Sequence, residues 1–200
     1  MLNRLLLSLS QRETSDTVYN QYQNENILNN LRLYFEYLFE NPHDIFLVGE
    51  APGYQGCRLT GIPFTSGEVI VNSKHKFFEK IRDKIILDRD KVIYEPTAQV
   101  LWDFLNNRTV PVIWNAFPFH PHKSGLLENN RKPIAKEIEE GREYLRLVFE
   151  IFKPKILCGL GRVGENALKQ LFPTREIIYI RHPARGGKKD FLKGIQKIFS

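Results

Sequence analysis

Cysteine is scarce in this chain, which contains only Cys57 and Cys158. Two cysteines can form neither a disulfide framework nor a four-cysteine zinc or iron-sulfur site within one chain. Long apolar runs are also lacking, since no stretch approaches the roughly 18 consecutive apolar residues of a membrane-spanning helix. The first apolar cluster, Leu5 to Leu9, is interrupted by Ser8 and leads into charged residues. We therefore expect a cytoplasmic protein with no secretory signal and no membrane association.

Acidic residues are sparse in the C-terminal quarter of the chain. Residues 155–200 contain ten Lys and Arg but three Asp and Glu, whereas the remainder is close to neutral, so the net charge of +6 arises in this quarter. Clustered positive charge favours a polyanionic partner such as DNA. The alternative is that these basic residues only keep the protein soluble.

Helical and strand-like patterns alternate along the chain. Residues 27–40 place apolar groups at spacings of three and four, which predicts an amphipathic helix. Four short apolar runs are typical of buried parallel strands, and they lie at Asp44–Val48, Val110–Trp114, Lys155–Gly159 and Glu176–Ile180. Further helical patterns lie near residues 96–106, 134–152 and 162–171. This alternation predicts the α/β class, as a three-layer α/β/α sandwich with a four-stranded parallel sheet.

The length of the chain suits one substantial core. With 200 residues, of which 42% are apolar, we expect a single domain over residues 1–200, with an N-terminal helical region at 1–43 and a core at 44–198. Residues 54–73 and 115–132 are predicted to be long loops. Ligands of parallel sheets bind beyond the carboxyl ends of the strands, so we expect the functional residues there. The segments concerned are 49–65, 115–125, 159–164 and 181–187.

Four ordered segments near these strand ends carry distinctive motifs. They are FLVGEAPG at 46–53 followed by GIPF at 61–64, NAFPF at 115–119 followed by NRKP at 130–133, KPKILCGLGR at 153–162, and His182-Pro183. In order and approximate spacing, this set resembles the uracil-DNA glycosylase superfamily, and in particular its iron-sulfur type. The resemblance extends over about residues 44–198. It implies a DNA glycosylase that removes uracil or a related deaminated base from DNA in base excision repair.

The resemblance also implies a role for each motif residue. Catalysis would fall to Glu50, which orients or deprotonates the attacking water, and to His182, which donates to the base carbonyl where negative charge builds. Asn115 would accept from N3–H of uracil while donating to another edge atom, which selects uracil over cytosine. The remaining base-binding residues would be Phe64, by stacking, and the turn formed by Gly49, Ala51, Pro52 and Gly53.

Two departures concern the cofactor of the iron-sulfur type and the water-activating residue of the best-known uracil-specific enzymes, although the Gly-Glu-Ala-Pro-Gly subgroup also has alanine in place of that residue. The four cluster cysteines are missing, so we predict no cluster and no other cofactor. Ala51 stands where the best-known uracil-specific enzymes carry a water-activating aspartate. This difference places the role on Glu50.

A third departure follows His182-Pro183. The superfamily continues there with serine and then a residue such as leucine that wedges into the base stack, whereas this chain has Ala184 and Arg185. We expect Arg185 to fill the gap left by a flipped base. Lys188 and Lys189 would contact DNA phosphates. The alternative is a basic turn at the start of a helix, with no role in DNA binding.

Three other interpretations of the sequence were weighed. His120 and His122 suggest a metal, but no third ligand stands nearby in sequence, so we predict no metal site.

Gly159–Gly164 matches the Gly-x-Gly-x-x-Gly pattern of dinucleotide binding, but it follows the third predicted strand, and tight strand-to-helix turns also require glycine. The altered segment after His182 leaves open a catalytically inactive member that binds nucleic acid. We expect a monomer that acts on DNA.

Overall fold

The computed structural model describes residues 1–87 and 92–199. The strands are β1 (Val18–Tyr19), β2 (Ile45–Gly49), β3 (Val112–Asn115), β4 (His120–Pro121), β5 (Ile156–Leu160) and β6 (Ile177–Ile180). The helices are α1 (Leu2–Gln11), α2 (Glu25–Glu40), α3 (Cys57–Thr60), α4 (Gly67–Asn72), α5 (Lys76–Ile81), α6 (Pro96–Leu105), α7 (Ala135–Phe152), α8 (Gly161–Leu171) and α9 (Lys188–Phe199). None of the helices within these ranges is both long enough and apolar enough to span a membrane.

Four of the strands form one parallel sheet, in the order β3-β2-β5-β6. Strand β2 is central, and its Val48 lies opposite Trp114 on one side and Gly159 on the other. Every residue of β2 and β3 is buried, as expected for strands that are covered on both faces. The predicted α/β class, with a four-stranded parallel sheet flanked by helices, is confirmed.

Local sequence signals set the ends of the flanking helices. The side chain of Asn24 accepts hydrogen bonds from two N–H groups in the first turn of α2. Glu95 caps α6 in the same way, and Pro96 occupies the first helical position, where its missing N–H costs nothing. Helix α7 ends at Lys153, which adopts a left-handed conformation. The predicted helices and strands agree with the observed ones to within two residues at each end.

Close packing ties the helices to the sheet. A β-carbon at Gly164 would lie 1.9 Å from the carbonyl oxygen of Val48, so glycine lets α8 lie directly on β2. On α2, Phe35 packs between the rings of Trp114 and Phe152, with centroid distances of 5.8 and 5.4 Å. Leu5 of α1 is completely buried in the same core, so the N-terminal helix packs with the rest of the fold.

The two segments predicted as long loops contain short elements. Residues 54–73 include α3 and α4, and residues 115–132 include β4, which pairs antiparallel with β1 so that His120 lies opposite Tyr19. Helices of four and six residues have fewer than two turns, and a strand of two residues has no alternation to detect. Their patterns were therefore too short to predict.

Candidate functional site

The predicted site residues converge at the carboxyl edge of the parallel sheet. Gly49 and Asn115 are the last residues of β2 and β3, and they lie opposite each other in the strand register. His182 follows the end of β6 by two residues. Phe64 comes from the segment after α3 and reaches the same edge.

Phe64, Gly49 and Asn115 are in direct contact. A β-carbon at position 49 would lie 2.4 Å from Cζ of Phe64 and 3.0 Å from Oδ1 of Asn115, so only glycine leaves room for both side chains. Phe64 has a positive φ of 54°, a conformation uncommon for bulky residues. Its carbonyl oxygen accepts a hydrogen bond of 2.9 Å from Nε1 of Trp102, which helps to hold this backbone in place.

The Asn115 carboxamide is buried and lacks a partner for its oxygen. The residue is 3% exposed, and Oδ1 is inaccessible and has no hydrogen-bond donor among the described residues. The backbone around it is fully engaged, since Ala116 N–H donates to the Gly49 carbonyl and Phe117 N–H to the Glu50 carbonyl. A buried acceptor without a donor is unfavourable, and such atoms are uncommon in folded proteins. An N–H group of a ligand would satisfy this oxygen once a shift of the neighbouring side chains opens a path to it.

His182 presents a neutral imidazole to the site. Its Nδ1 accepts a hydrogen bond from Ala184 N–H at 3.2 Å, so the ring proton belongs on Nε2. Burial, with a smaller contribution from the neighbouring Arg181 cation, lowers the pKa of His182 to about 4. The ring centroid lies 6.3 Å from that of Phe64. At neutral pH this side chain therefore offers an uncharged N–H donor beside the Phe64 ring.

Glu50 is half-buried directly after β2. Burial raises the pKa of this carboxyl group, and the cationic groups of Lys132 and Arg185 partly oppose that rise. A raised pKa makes the carboxylate a stronger base at neutral pH. Lys132 had not been predicted as a site residue. Its only sequence signal was membership of the NRKP motif at 130–133, and its proximity to Glu50 depends on how that loop folds.

Hydrogen bonds from residues outside the turn hold Ala51, Pro52 and Gly53 in place. The imidazole of His120 lies between two backbone carbonyls, with Nδ1 at 2.8 Å from the oxygen of Pro52 and Nε2 at 2.9 Å from that of Leu127. The Gly53 carbonyl accepts from the N–H groups of Gly56 and Arg58. Ala51 is half-buried and packs against the core. These contacts place the three residues as one wall of the site.

The predicted DNA-binding residues lie on the surface next to this edge. Arg185 and Gly186 are exposed and both have positive φ, 53° and 75°, so they form a tight turn after His182. Arg185 is close enough to Glu50 to influence its pKa. Lys188 and Lys189 are exposed at the start of α9. Arg185 is thus near the catalytic candidates, and the two lysines continue the basic surface.

The histidine and glycine motifs weighed as alternatives have structural explanations. The rings of His120 and His122 stack, with centroids 5.7 Å apart, and both bond to backbone carbonyls. Residues 1–87 and 92–199 contain no cluster of three candidate metal ligands. Gly161 has φ of 82°, and a β-carbon at Gly159 would lie 2.3 Å from the backbone of Glu165. The positive φ of Gly161 and the close packing at Gly159 therefore explain why this turn requires glycine.

Comparisons with known proteins identify the family and the fold of this chain. The family model described as the Uracil DNA glycosylase superfamily matches residues 38–197. The crystal structure of wild-type SMUG2 from Pedobacter heparinus is similar in fold, with a TM-score of 0.71 and 14% sequence identity, covering 98% of this chain and 95% of that chain. No match was found among curated protein sequences. Since the family match includes most of the residues, the chain belongs to the uracil DNA glycosylase superfamily.

Proposed function

We propose that this protein is a DNA glycosylase that hydrolyses the N-glycosidic bond of uracil or a related deaminated base in DNA. Superfamily membership supports the general activity. The observation that carries the proposal for the base is the buried Oδ1 of Asn115, which lacks a donor and lies beside Gly49 and the Phe64 ring.

Asn115 supplies the discrimination between bases. Its Oδ1 accepts a hydrogen bond from N3–H of a flipped uracil, and its Nδ2 donates to a neighbouring carbonyl oxygen of the base. Cytosine has no N3–H and carries an amino group at C4, so it would leave Oδ1 without its partner. Phe64 provides the flat apolar surface on which the base stacks.

His182 stabilises the departing base. As the bond between C1′ and the base nitrogen breaks, its electron pair passes to the base, and negative charge accumulates on the adjacent carbonyl oxygen. The Nε2–H of a neutral His182 donates to that oxygen and remains a donor at neutral pH because its pKa is about 4. Helix α8 begins at Gly161, where a β-carbon would lie 3.5 Å from Cβ of His182, so the positive end of its dipole also favours the anion.

Glu50 positions the water. The carboxylate accepts a hydrogen bond from a water molecule aligned with C1′ and takes its proton as the oxygen bonds to the sugar. The base anion is then protonated and leaves, and an abasic site remains. Lys132 and Arg185 favour the ionised form of the half-buried carboxyl group, since their charges partly oppose the rise in its pKa that burial causes.

Incubation of the purified protein with oligonucleotides containing uracil or hypoxanthine tests the proposal. We expect abasic sites, detected by alkaline cleavage, from at least one of these substrates. Glu50→Gln should lower the single-turnover rate at saturating protein much more than it lowers affinity for the same DNA. Salt-dependent DNA binding without base release, from folded protein alongside an active control enzyme, would instead favour a catalytically inactive member of the superfamily.

A further inference from the structure

A polar cavity lies apart from the candidate site. It has a volume of about 240 Å³ and is enclosed by β1, the first turn of α2 and helix α3. Its polar side is lined by Tyr19, Asn24, Asn26 and Arg58, and the rest of its lining is apolar. None of the residues that line it belongs to the candidate site described above.

Arg58 is a buried cation that forms no ion pair with any described residue. The residue is 9% exposed, and its one side-chain hydrogen bond runs from Nε to the Tyr54 carbonyl at 3.1 Å. No carboxylate within residues 1–87 and 92–199 forms an ion pair with its guanidinium group. Burial lowers the pKa of Arg58, and the smaller influences of Tyr19 and Glu128 only partly oppose that decrease. Arg131 illustrates the usual arrangement, since it forms a bidentate ion pair with Glu137. An unpaired buried charge is unfavourable, so Arg58 suits a ligand that supplies the negative charge.

The other groups in the cavity also favour an anion. Asn24 uses its Oδ1 to cap α2, which leaves its Nδ2 as a donor at the cavity. Helix α2 is 16 residues long, so the positive end of its dipole points at this place. Among the described residues, none of those that line the cavity is acidic. Its volume is below that of typical pockets for whole ligands, which favours a single small group such as a phosphate.

The cavity is joined to the base pocket by a short loop. The backbone N–H of Arg58 donates to the carbonyl of Gly53, and its Nε holds the carbonyl of Tyr54, the next residue. The residues that carry these two carbonyl groups, Gly53 and Tyr54, lie three and four positions after Glu50. The loop that begins at Glu50 therefore leads directly to the side chain of Arg58. We propose that the Arg58 cavity binds one backbone phosphate of the DNA strand that carries the flipped base, an inference that rests on the proposed function in taking DNA as the substrate.

Salt-dependent binding of uracil-containing duplex, followed by fluorescence anisotropy, measures the contribution of Arg58. Arg58→Ala should weaken binding about tenfold. It should also reduce the slope of log K against log salt concentration by about 0.9, the value for one phosphate contact. Arg58→Gln, which keeps a long polar side chain, should give the same change if Arg58→Ala is poorly folded by thermal unfolding.

Arg175→Ala is the matched control, because it removes the same charge at the opposite edge of the sheet, where Arg175 donates to the Lys155 carbonyl. We expect it to leave the slope close to that of the wild type. Equal changes in slope for the Arg58 and Arg175 variants would overturn the proposal, since they would reflect general electrostatic attraction alone.

Neutral methylphosphonates placed one at a time in the flipped strand locate the phosphate. One position should weaken binding of the wild type but have no further effect on the Arg58→Ala protein, as expected for two partners of one contact. Absence of any such position would overturn the proposal, even with normal base release. A thermal shift by inorganic phosphate that depends on Arg58, without coupling to any DNA position, would assign the cavity to a free phosphate and overturn the DNA assignment. If one methylphosphonate position depends on Arg58 in this way but the protein releases no base, the phosphate contact would stand and the proposed glycosylase activity would be contradicted.

Discussion

The ring of Phe64 lies over Gly49 so closely that a β-carbon at position 49 would be 2.4 Å from its Cζ and 2.5 Å from its Cε2. The ring proposed to stack on the base therefore packs directly against Gly49, the last residue of the central strand β2. A side chain at position 49 would therefore displace the Phe64 ring.

Gly49→Ala should displace the Phe64 ring. We expect it to lower the free energy of unfolding by about 1–3 kcal/mol, the usual cost of an added methyl group in a packed site, and to reduce base release. In a Phe64→Ala background the same substitution should cost less, because the clashing ring is absent. Urea unfolding of the four proteins measures this coupling, and an equal cost of Gly49→Ala in both backgrounds would contradict the contact.

Asn115→Ala should lower activity on uracil-DNA while leaving the free energy of unfolding almost unchanged. Removing a buried oxygen that has no donor loses no hydrogen bond, so we expect the free energy of unfolding to change by less than about 1 kcal/mol. Loss of two hydrogen bonds to the base should reduce kcat/KM on uracil-DNA by about one to two orders of magnitude.

Asn30 is the matched control for Asn115, since it is also buried but its carboxamide bonds to Thr60 and Ile86. Asn30→Ala should cost about 1–3 kcal/mol of stability. If the Asn115 variant were as unstable as the Asn30 variant, a structural role for Asn115 would be indicated.

Lys132→Gln should shift the pH dependence of base release. Glu50 acts as the base only when ionised, so activity rises with pH through its pKa, which burial raises above the usual range of a glutamate. Removing the Lys132 charge raises the Glu50 pKa further and moves the acidic limb of kcat/KM to higher pH. Lys155→Gln, at the amino edge of the sheet, should leave the limb in place. An unmoved limb in both variants would exclude this electrostatic role of Lys132.

Arg185→Gly should affect duplex substrates selectively. Glycine adopts the positive φ of position 185 without strain, so we expect stability to be retained or to rise by up to about 1 kcal/mol. A flipped base leaves a gap in a duplex but not in a single strand, so loss of a wedge should lower activity on double-stranded DNA more than on single-stranded DNA. The ratio of the two rates tests this, and equal losses would indicate a charge effect only.

His182→Gln should weaken the acid sensitivity of the fold. The pKa of His182 falls from its ordinary value of 6.5 to about 4 on folding, so the unfolded chain binds more protons between these values. Its contribution to stability is complete above about 6.5 and is lost as pH falls towards 4. The variant should show a smaller decrease in urea midpoint over this range. The decrease should not vanish, because burial also lowers the pKa of His43, His75 and His120.

The sheet and the position of the site could be predicted from the sequence because both leave local signals. Short apolar runs closed by glycine or proline predicted the strands, and residues directly after them, such as Glu50 and Asn115, had to meet at one edge. Phe64 could be included only through the motif resemblance, since the helix α3 that precedes it has four residues and no detectable period.

Contacts made between loops could not be predicted. The proximity of Lys132 to Glu50, the burial of Arg58 and the clamp made by His120 all depend on how residues far apart in sequence fold against each other. Charge and spacing give no indication of such contacts. A buried arginine and an exposed one have the same sequence signature, and only tertiary packing distinguishes them.

The two sides of the candidate site differ in how firmly they are held, and His120 lies on the more firmly held side. The imidazole of His120 lies between the Pro52 and Leu127 carbonyls and donates its single N–H to one of them, so the segments that carry Pro52 and Leu127 are packed against the same side chain. The turn at 184–187, on the other side of the pocket, has hydrogen bonds only to residues 181–191 among those described. We therefore expect capture and release of the flipped nucleotide to follow the motion of this turn, with the opposite wall stationary.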